Sequence, residues 1–269
     1  FRFRHNASAH CMFRLANLRV CRHVTAPSFS LSTSRSFTST LRAAAPASRS
    51  NDMAKALIKS PKELLSFWFS EEAYLDQPEL LSSSAFMRGK MQAQWYAGTK
   101  ADESCMPFVA TIEAAASGAL DADPNWIADK QLSDVAKMIL FDQLPRNCFR
   151  GTPRAFAYDH IALALARNLS RDDAVVDSLP PAVIHFLVSP LIHSEGLADQ
   201  DLALQVNDRL MLRNKEIAEL ARPHIIDHRA VVVRFGRFPH RNVNMGREST
   251  AEEVAWLASD EVPGWAKSQ

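Results

Sequence analysis

Two stretches place groups that could do chemistry where core-forming sequence is expected. The first is Asp142 to Asp159, DQLPRNCFRGTPRAFAYD, and the second is Arg234 to Asn242, RFGRFPHRN. With Arg247 they carry seven arginines: Arg146, Arg150, Arg154, Arg234, Arg237, Arg241 and Arg247. A guanidinium is a planar fork of donors that suits a carboxylate or a phosphate. Asn147, Asn242 and His228 add neutral polar groups, and Asp142 falls three residues after Ile139 on the apolar side of its helix. A carboxylate there is costly unless it is paired. The expected ligand-binding set is therefore Asp142, Arg146, Asn147, Arg150, His228, Arg234, Arg237, Arg241 and Asn242. His193 and His240, with Glu195, are the candidates for proton transfer. The alternative, compatible with a pocket, is an internal ion-pair network in which Asp142, Asp159 and Glu195 neutralise the arginines.

Other chemistries have weaker support. His224 and His228 are four apart and share a helix face, but a metal would need closure from another element, so no metal is assigned. Ser194 reads as a helix cap and Cys148 as a small core residue, leaving no evident nucleophile. Neither phosphate-cradling glycine pattern occurs, so no nucleotide or other cofactor is expected. The four cysteines suggest neither a zinc site nor a disulfide framework.

Charge narrows the partners. Of the 31 basic residues, eight arginines fall in residues 1–51, which hold no acid; 23 then face all 30 acidic residues, a net of −7 from Asp52 onward. So acidic a body is a poor nucleic-acid binder. No apolar run is long enough to cross a bilayer. The first fifty residues, rich in Arg, Ser, Thr and Ala, have the composition of a mitochondrial transit peptide. Arg35, Phe37 and Thr40 fit a two-step cleavage pattern that starts the mature chain at Ala45. The expected address is the mitochondrial matrix, with Met53 as a start for a cytoplasmic form. A disordered extension without an address is the bland reading.

The elements that must position these residues read as helices. Ser60-Pro61-Lys62-Glu63 opens one, followed by helices near 85–96 and 101–117, the latter interrupted or delayed by Pro107. A helix over 125–144, apolar at Leu132, Val135 and Ile139, is expected to stop at Pro145. Thr152-Pro153 should start the next. A short one opens at Pro181 and should end at Pro190. Ser194 should cap a helix over 195–215, and 216–235 should form the last long one, with Pro223 marking a break and Gly236 the end. Residues 249–258 carry a cap and first turn. Val231 to Val233 is β-branched but flanked by helical spacing. The expectation is all-α, a single domain over 57–269 of antiparallel neighbouring helices.

With both stretches in view, the chain resembles domain-of-unknown-function family 924, widespread in bacteria. The resemblance rests on Phe67-Trp68-Phe69, Asp142 to Asn147, Phe149 to Ala157, His193-Ser194-Glu195, His228, Arg234 to Asn242 and Gly246 to Thr250, and spans about 57–258. Gly196 stands where the family usually has an acid, and Ala251 where it usually has proline. The resemblance implies a TPR-like helical array and no assigned activity. Two functions from different classes fit: a module that binds a small anion or an acidic peptide in an Arg/His-rich pocket, and a hydrolase or transferase acting on a phosphorylated or carboxylated small molecule.

Overall fold

Most helix starts are written into the chain as side-chain caps. Ser60 Oγ accepts from Glu63 N at 3.2 Å, and Pro61 fills the first position of α1 (Pro61–Phe69). The structure, a computed structural model, describes residues 57–267. The expected transit peptide, the Ala45 start and the Met53 start lie outside them. α2 (Ser84–Lys90) runs into a π turn over Met91–Trp95, which completes the helix expected near 85–96. The helix expected over 101–117 is split at Pro107 into α3 (Thr99–Cys105) and α4 (Val109–Ala116), with a 3₁₀ turn between them. Pro107 has no N–H to donate and resists a continuous ladder. The helix expected from Asn125 is likewise two: α5 (Pro124–Ile127), then α6 (Lys130–Cys148), because Asp129 Oδ1 caps Leu132 N at 2.9 Å.

Three prolines expected to end or break helices do not. Pro145 lies inside α6, Pro190 inside α9 (Pro181–His193), and Pro223 inside α11 (Lys215–Phe235). A proline inside a helix costs about 3 kcal/mol. Burial outweighs that cost: Pro181 to Ile192 are all buried in α9, and one buried Leu or Phe contributes about 1.5–3 kcal/mol. Past Pro145 the ladder resumes, with Phe149 N donating to Pro145 O at 2.9 Å. Thr152 is not a cap. Its Oγ1 donates to Phe149 O at 2.7 Å, residues Pro153–Phe156 form a 3₁₀ turn, and α7 (Asp159–Ser170) begins later.

α8 (Asp173–Ser178) precedes α9, and α10 (Leu197–Arg213) follows it with Gly196, not Ser194, at the cap position. Asn214 alone separates α10 from α11 and caps it, accepting from Ile217 N at 3.1 Å. Gly236 ends α11 in the left-handed region at φ 66°, where a side chain would be strained. Val231 to Val233 are helical, and among the described residues there is no strand. α12 (Ala251–Leu257) carries a full capping box between Thr250 and Glu253, and α13 (Gly264–Lys267) follows.

α9 is the axis of the fold. It packs on α6, α7, α10 and α11, and one apolar core runs from Leu64 to Ile225 around it. Phe186 anchors α9 edge-on against Trp68, Phe69 and Trp95, with ring centroids 5.4, 5.7 and 4.7 Å away. A smaller cluster of Val231, Val232, Phe238, Trp256, Val262 and Ala266 holds the C-terminal segment. The expectation of a single all-α domain holds for the described residues.

Candidate functional site

A cavity of about 430 Å³ lies where α6, α9 and α11 meet, at the end of the main core. Helical periodicity explains its walls. Gln143, Arg146 and Asn147 share one face of α6; His185, Ser189, Ile192 and His193 share one face of α9; Ala221, His224, Ile225 and His228 share one face of α11. Trp95, Tyr96, Gly98, Arg150, Val188, Gly264 and Trp265 also line it.

Asp142 sits behind this wall, 1% exposed. It accepts from His193 Nδ1 at 2.7 Å and Gln143 Nε2 at 2.5 Å, and Arg146 Nη1 lies 3.3 Å away. Burial alone pushes its carboxyl up, but His193 and then Arg146 outweigh it and bring it down to about 2. Arg146 is in turn held bidentately by Asp159 at 2.7 and 2.9 Å, and donates to Asp142 O at 2.7 Å. The sequence expectation that Asp142 pairs with an arginine is met by Arg146.

His193 is pushed below its usual value by burial first and Arg146 second, against the pull of Asp142. We therefore take the pair as an ionised Asp142 and a neutral His193. An ionised carboxylate only accepts, so the His193 proton is on Nδ1 and its Nε2 is basic. His228 is arranged alike. Its Nδ1 donates to His224 O at 2.7 Å, its ring stacks on Trp265 at 3.7 Å, and burial, then His193, hold it well below 6.5. His185 is 6% exposed, and burial and then His224 bring it down to about 4; its Nδ1 has no hydrogen-bond partner.

Arg146, Asn147, Arg150, His193 and His228 thus line the cavity, and Asp142 orients His193 and Arg146 from behind. The expected convergence of the two stretches is corrected for the rest, because their polar groups face each other and the C-terminal segment. Arg234 is a surface residue paired with Glu252 at 2.9 Å and Glu261 at 3.0 Å. Arg237 grips buried Glu253 at 2.6 and 2.8 Å, and Asn242 Nδ2 donates to Ser249 Oγ and Glu253 at 3.1 and 3.2 Å. Arg241 is 4% exposed between the Phe156 and Phe238 rings and donates to His193 O at 3.0 Å, with Asp159 3.6 Å away. Burial, then Arg146, lower its guanidinium to about 10. Glu195 accepts from Phe238 N at 2.8 Å and from Arg247 at 2.7 and 2.9 Å. His240 packs against Phe238 and Trp265 and does not line the cavity. With Arg150 on Asp102 (2.8 Å) and Arg154 on Glu113 (2.7 Å), each of the seven arginines has a carboxylate neighbour. The ion-pair network expected as the alternative is present.

The sequence reading missed Gln143, His185, Ser189, Trp95, Tyr96 and Trp265 as wall residues. His185 and Ser189 had a signal: they are polar, four apart, and in phase with His193 in an otherwise apolar helix. The aromatic residues had none, since they arrive from distant segments. His224 and His228 both reach the cavity, but among the described residues no cluster of three or more His, Cys, Asp or Glu has the geometry to hold a metal ion.

Comparisons with known proteins give the chain a family and no activity. Residues 64–261 match the family described as bacterial protein of unknown function, DUF924. A solved structure of a protein of unknown function, ATU0120 from Agrobacterium tumefaciens, is 30% identical, with a TM-score of 0.51 over 74% of this chain and 96% of that one. No curated protein matches. All the cavity-lining side chains of α6, α9 and α11 fall within the matched span, and the chain belongs to the DUF924 family.

Proposed function

We propose that the cavity binds a small organic anion, its acidic group toward Arg150 and its body against Trp95, Tyr96 and Trp265. One observation carries this reading. Burial first and then Arg146 push His193 away from carrying charge, and burial, then His193, with Arg241 adding, do the same to His228, so the guanidiniums around the cavity add to what opposes a cation there. A volume of about 430 Å³ suits a small molecule rather than an acidic peptide. The TPR-like array implied by the resemblance belongs to the same proposal, as a scaffold of stacked helices presenting the site. The test is an NMR titration of the tryptophan indole signals with phosphate and with succinate. The Trp265 signal should move and that of Trp126, fully buried in the main core, should not. No shift at saturating anion refutes the reading.

A second reading is favoured by the His193–Asp142 pair. A carboxylate on Nδ1 fixes the tautomer and leaves Nε2 to accept a proton, as a general base in a hydrolase or transferase requires. Glu195 and His240 are not placed to share that role. For the address, we propose the mitochondrial matrix on the Arg-rich, acid-free composition of residues 1–51. N-terminal sequencing from isolated mitochondria should give a start near Ala45, whereas only chains beginning at Met53 would place the protein in the cytosol.

A further inference from the structure

The cavity wall has an unusual polarity in hydrogen-bonding terms. Two of its four histidines present nitrogen lone pairs rather than N–H groups. The Nδ1 atoms of His193 and His228 donate to acceptors, the Asp142 carboxylate and the His224 carbonyl, each at 2.7 Å. That fixes both rings in the tautomer whose Nε2 has no proton. Neither Nε2 has a hydrogen-bond partner among the described residues, and neither is sealed from solvent, so both reach the cavity. The two rings lie 5.9 Å apart, within the span of one small molecule. His185 adds a buried Nδ1 without a partner.

A bare anion fits such a wall poorly. Its lone pairs would meet those of the imidazoles, and an acceptor desolvated without a donor is destabilising. The wall calls for donors. An ammonium is disfavoured, since Arg146 and Arg241 already oppose positive charge on His193, and Arg241 does so on His228. Hydroxyl groups are compact neutral donors that meet this need.

We propose that the ligand is a hydroxy-carboxylate whose hydroxyl groups donate to Nε2 of His193 and of His228 while its carboxylate faces Arg150. This rests on the anion-binding reading above and names the chemical class of the anion.

The experiment is calorimetric titration with matched pairs that differ only in hydroxyl groups: lactate and propionate, malate and succinate, gluconate and hexanoate. The hydroxy member of at least one pair should bind at least about tenfold more tightly, the loss expected for one hydrogen bond to a desolvated acceptor. His228→Phe should reduce that ratio toward one. Should this variant unfold, His193→Gln serves the same purpose. Equal affinity within every pair that binds overturns the hydroxyl inference and leaves anion binding standing. Binding that takes up a proton, read from the buffer dependence of the heat, also overturns it, because the imidazoles would then be the donors. If no pair binds and neither phosphate nor succinate moves the Trp265 signal, the anion reading falls and this inference with it. If those anions do move the signal but no hydroxy acid is preferred, this inference alone fails.

Discussion

Two stretches of similar composition end up in different trades. Asp142 to Arg150 and Arg234 to Asn242 both carry arginine, asparagine and proline near a helix end. The first stays helical through Pro145, and its polar side chains share a face with His193 and His228 across a gap the apolar core does not fill. The second follows Gly236 out of α11 into a turn, and its side chains clasp the C-terminal segment: Arg237 and Asn242 on Glu253, Arg234 on Glu252 and Glu261. Arg241 bridges the two, its guanidinium on the carbonyl of His193. Residue type alone therefore does not make a site. What separates the stretches is whether the backbone continues as a helix, which keeps polar groups in register, or turns, which scatters them onto neighbours.

The largest expected effect tests the first stretch as a unit. Asp142→Ala leaves Arg146 with one carboxylate and His193 with none inside the core. It should cost about 3–5 kcal/mol in urea unfolding. A loss below about 1 kcal/mol would mean that Asp142 is not the hub described.

The next effect is in pH. His185 is held down to about 4 from 6.5, so the unfolded chain takes a proton that the folded chain refuses. Its contribution is intact above 6.5 and is lost as pH falls from 6.5 toward 4, up to roughly 3 kcal/mol. Asp142 acts lower: its depressed carboxyl stabilises above 3.8, and that share is lost as pH falls through about 2. His185→Leu should make the fall in stability between pH 6.5 and 4 shallower, leaving the share of His193 and His228, which are also held below 6.5, and the more acid limb in place. An unchanged upper limb would show that His185 is solvated when folded.

Arg241→Met comes third. Asp159 keeps its bidentate Arg146, so the loss is mainly one charged hydrogen bond to the His193 carbonyl and one stacked guanidinium. Roughly 1–3 kcal/mol is expected, with the chain still folded. A loss above about 5 kcal/mol would make Arg241, rather than Asp142, the centre of the network.

Much of this was legible in the chain, and the rest was not for definite reasons. Caps made of one side chain and a nearby N–H, at Ser60 and Thr250, were readable because the interaction is local. The burial of Asp142 followed from its phase with Val135 and Ile139. Pro145, Pro190 and Pro223 misled because tertiary burial outweighs a local penalty. The cavity was half legible: residue type singled out Arg146 and His193, although their helices were expected to stop at Pro145 and Pro190, and only the fold could bring Trp95 and Trp265 beside them. The arginine partners were the hardest to read, because Asp102 and Glu253 are sequence-distant from Arg150 and Arg237 and only packing selects them.

The smallest effect on stability is also the most direct test of the division between the stretches. Arg150 is a partly exposed cavity residue, and Arg150→Met should cost no more than about 1 kcal/mol, as for a surface ion pair. Melting temperatures of the wild type, Arg150→Met and Arg237→Met should be compared with and without succinate, phosphate and malate. Anion should raise the wild type and Arg237→Met alike, by about 2.7 kcal/mol of stabilisation at a hundredfold excess over Kd, and should leave Arg150→Met unmoved. An increment kept by Arg150→Met and lost by Arg237→Met, or absent from the wild type, would contradict the assignment of the site to the first stretch.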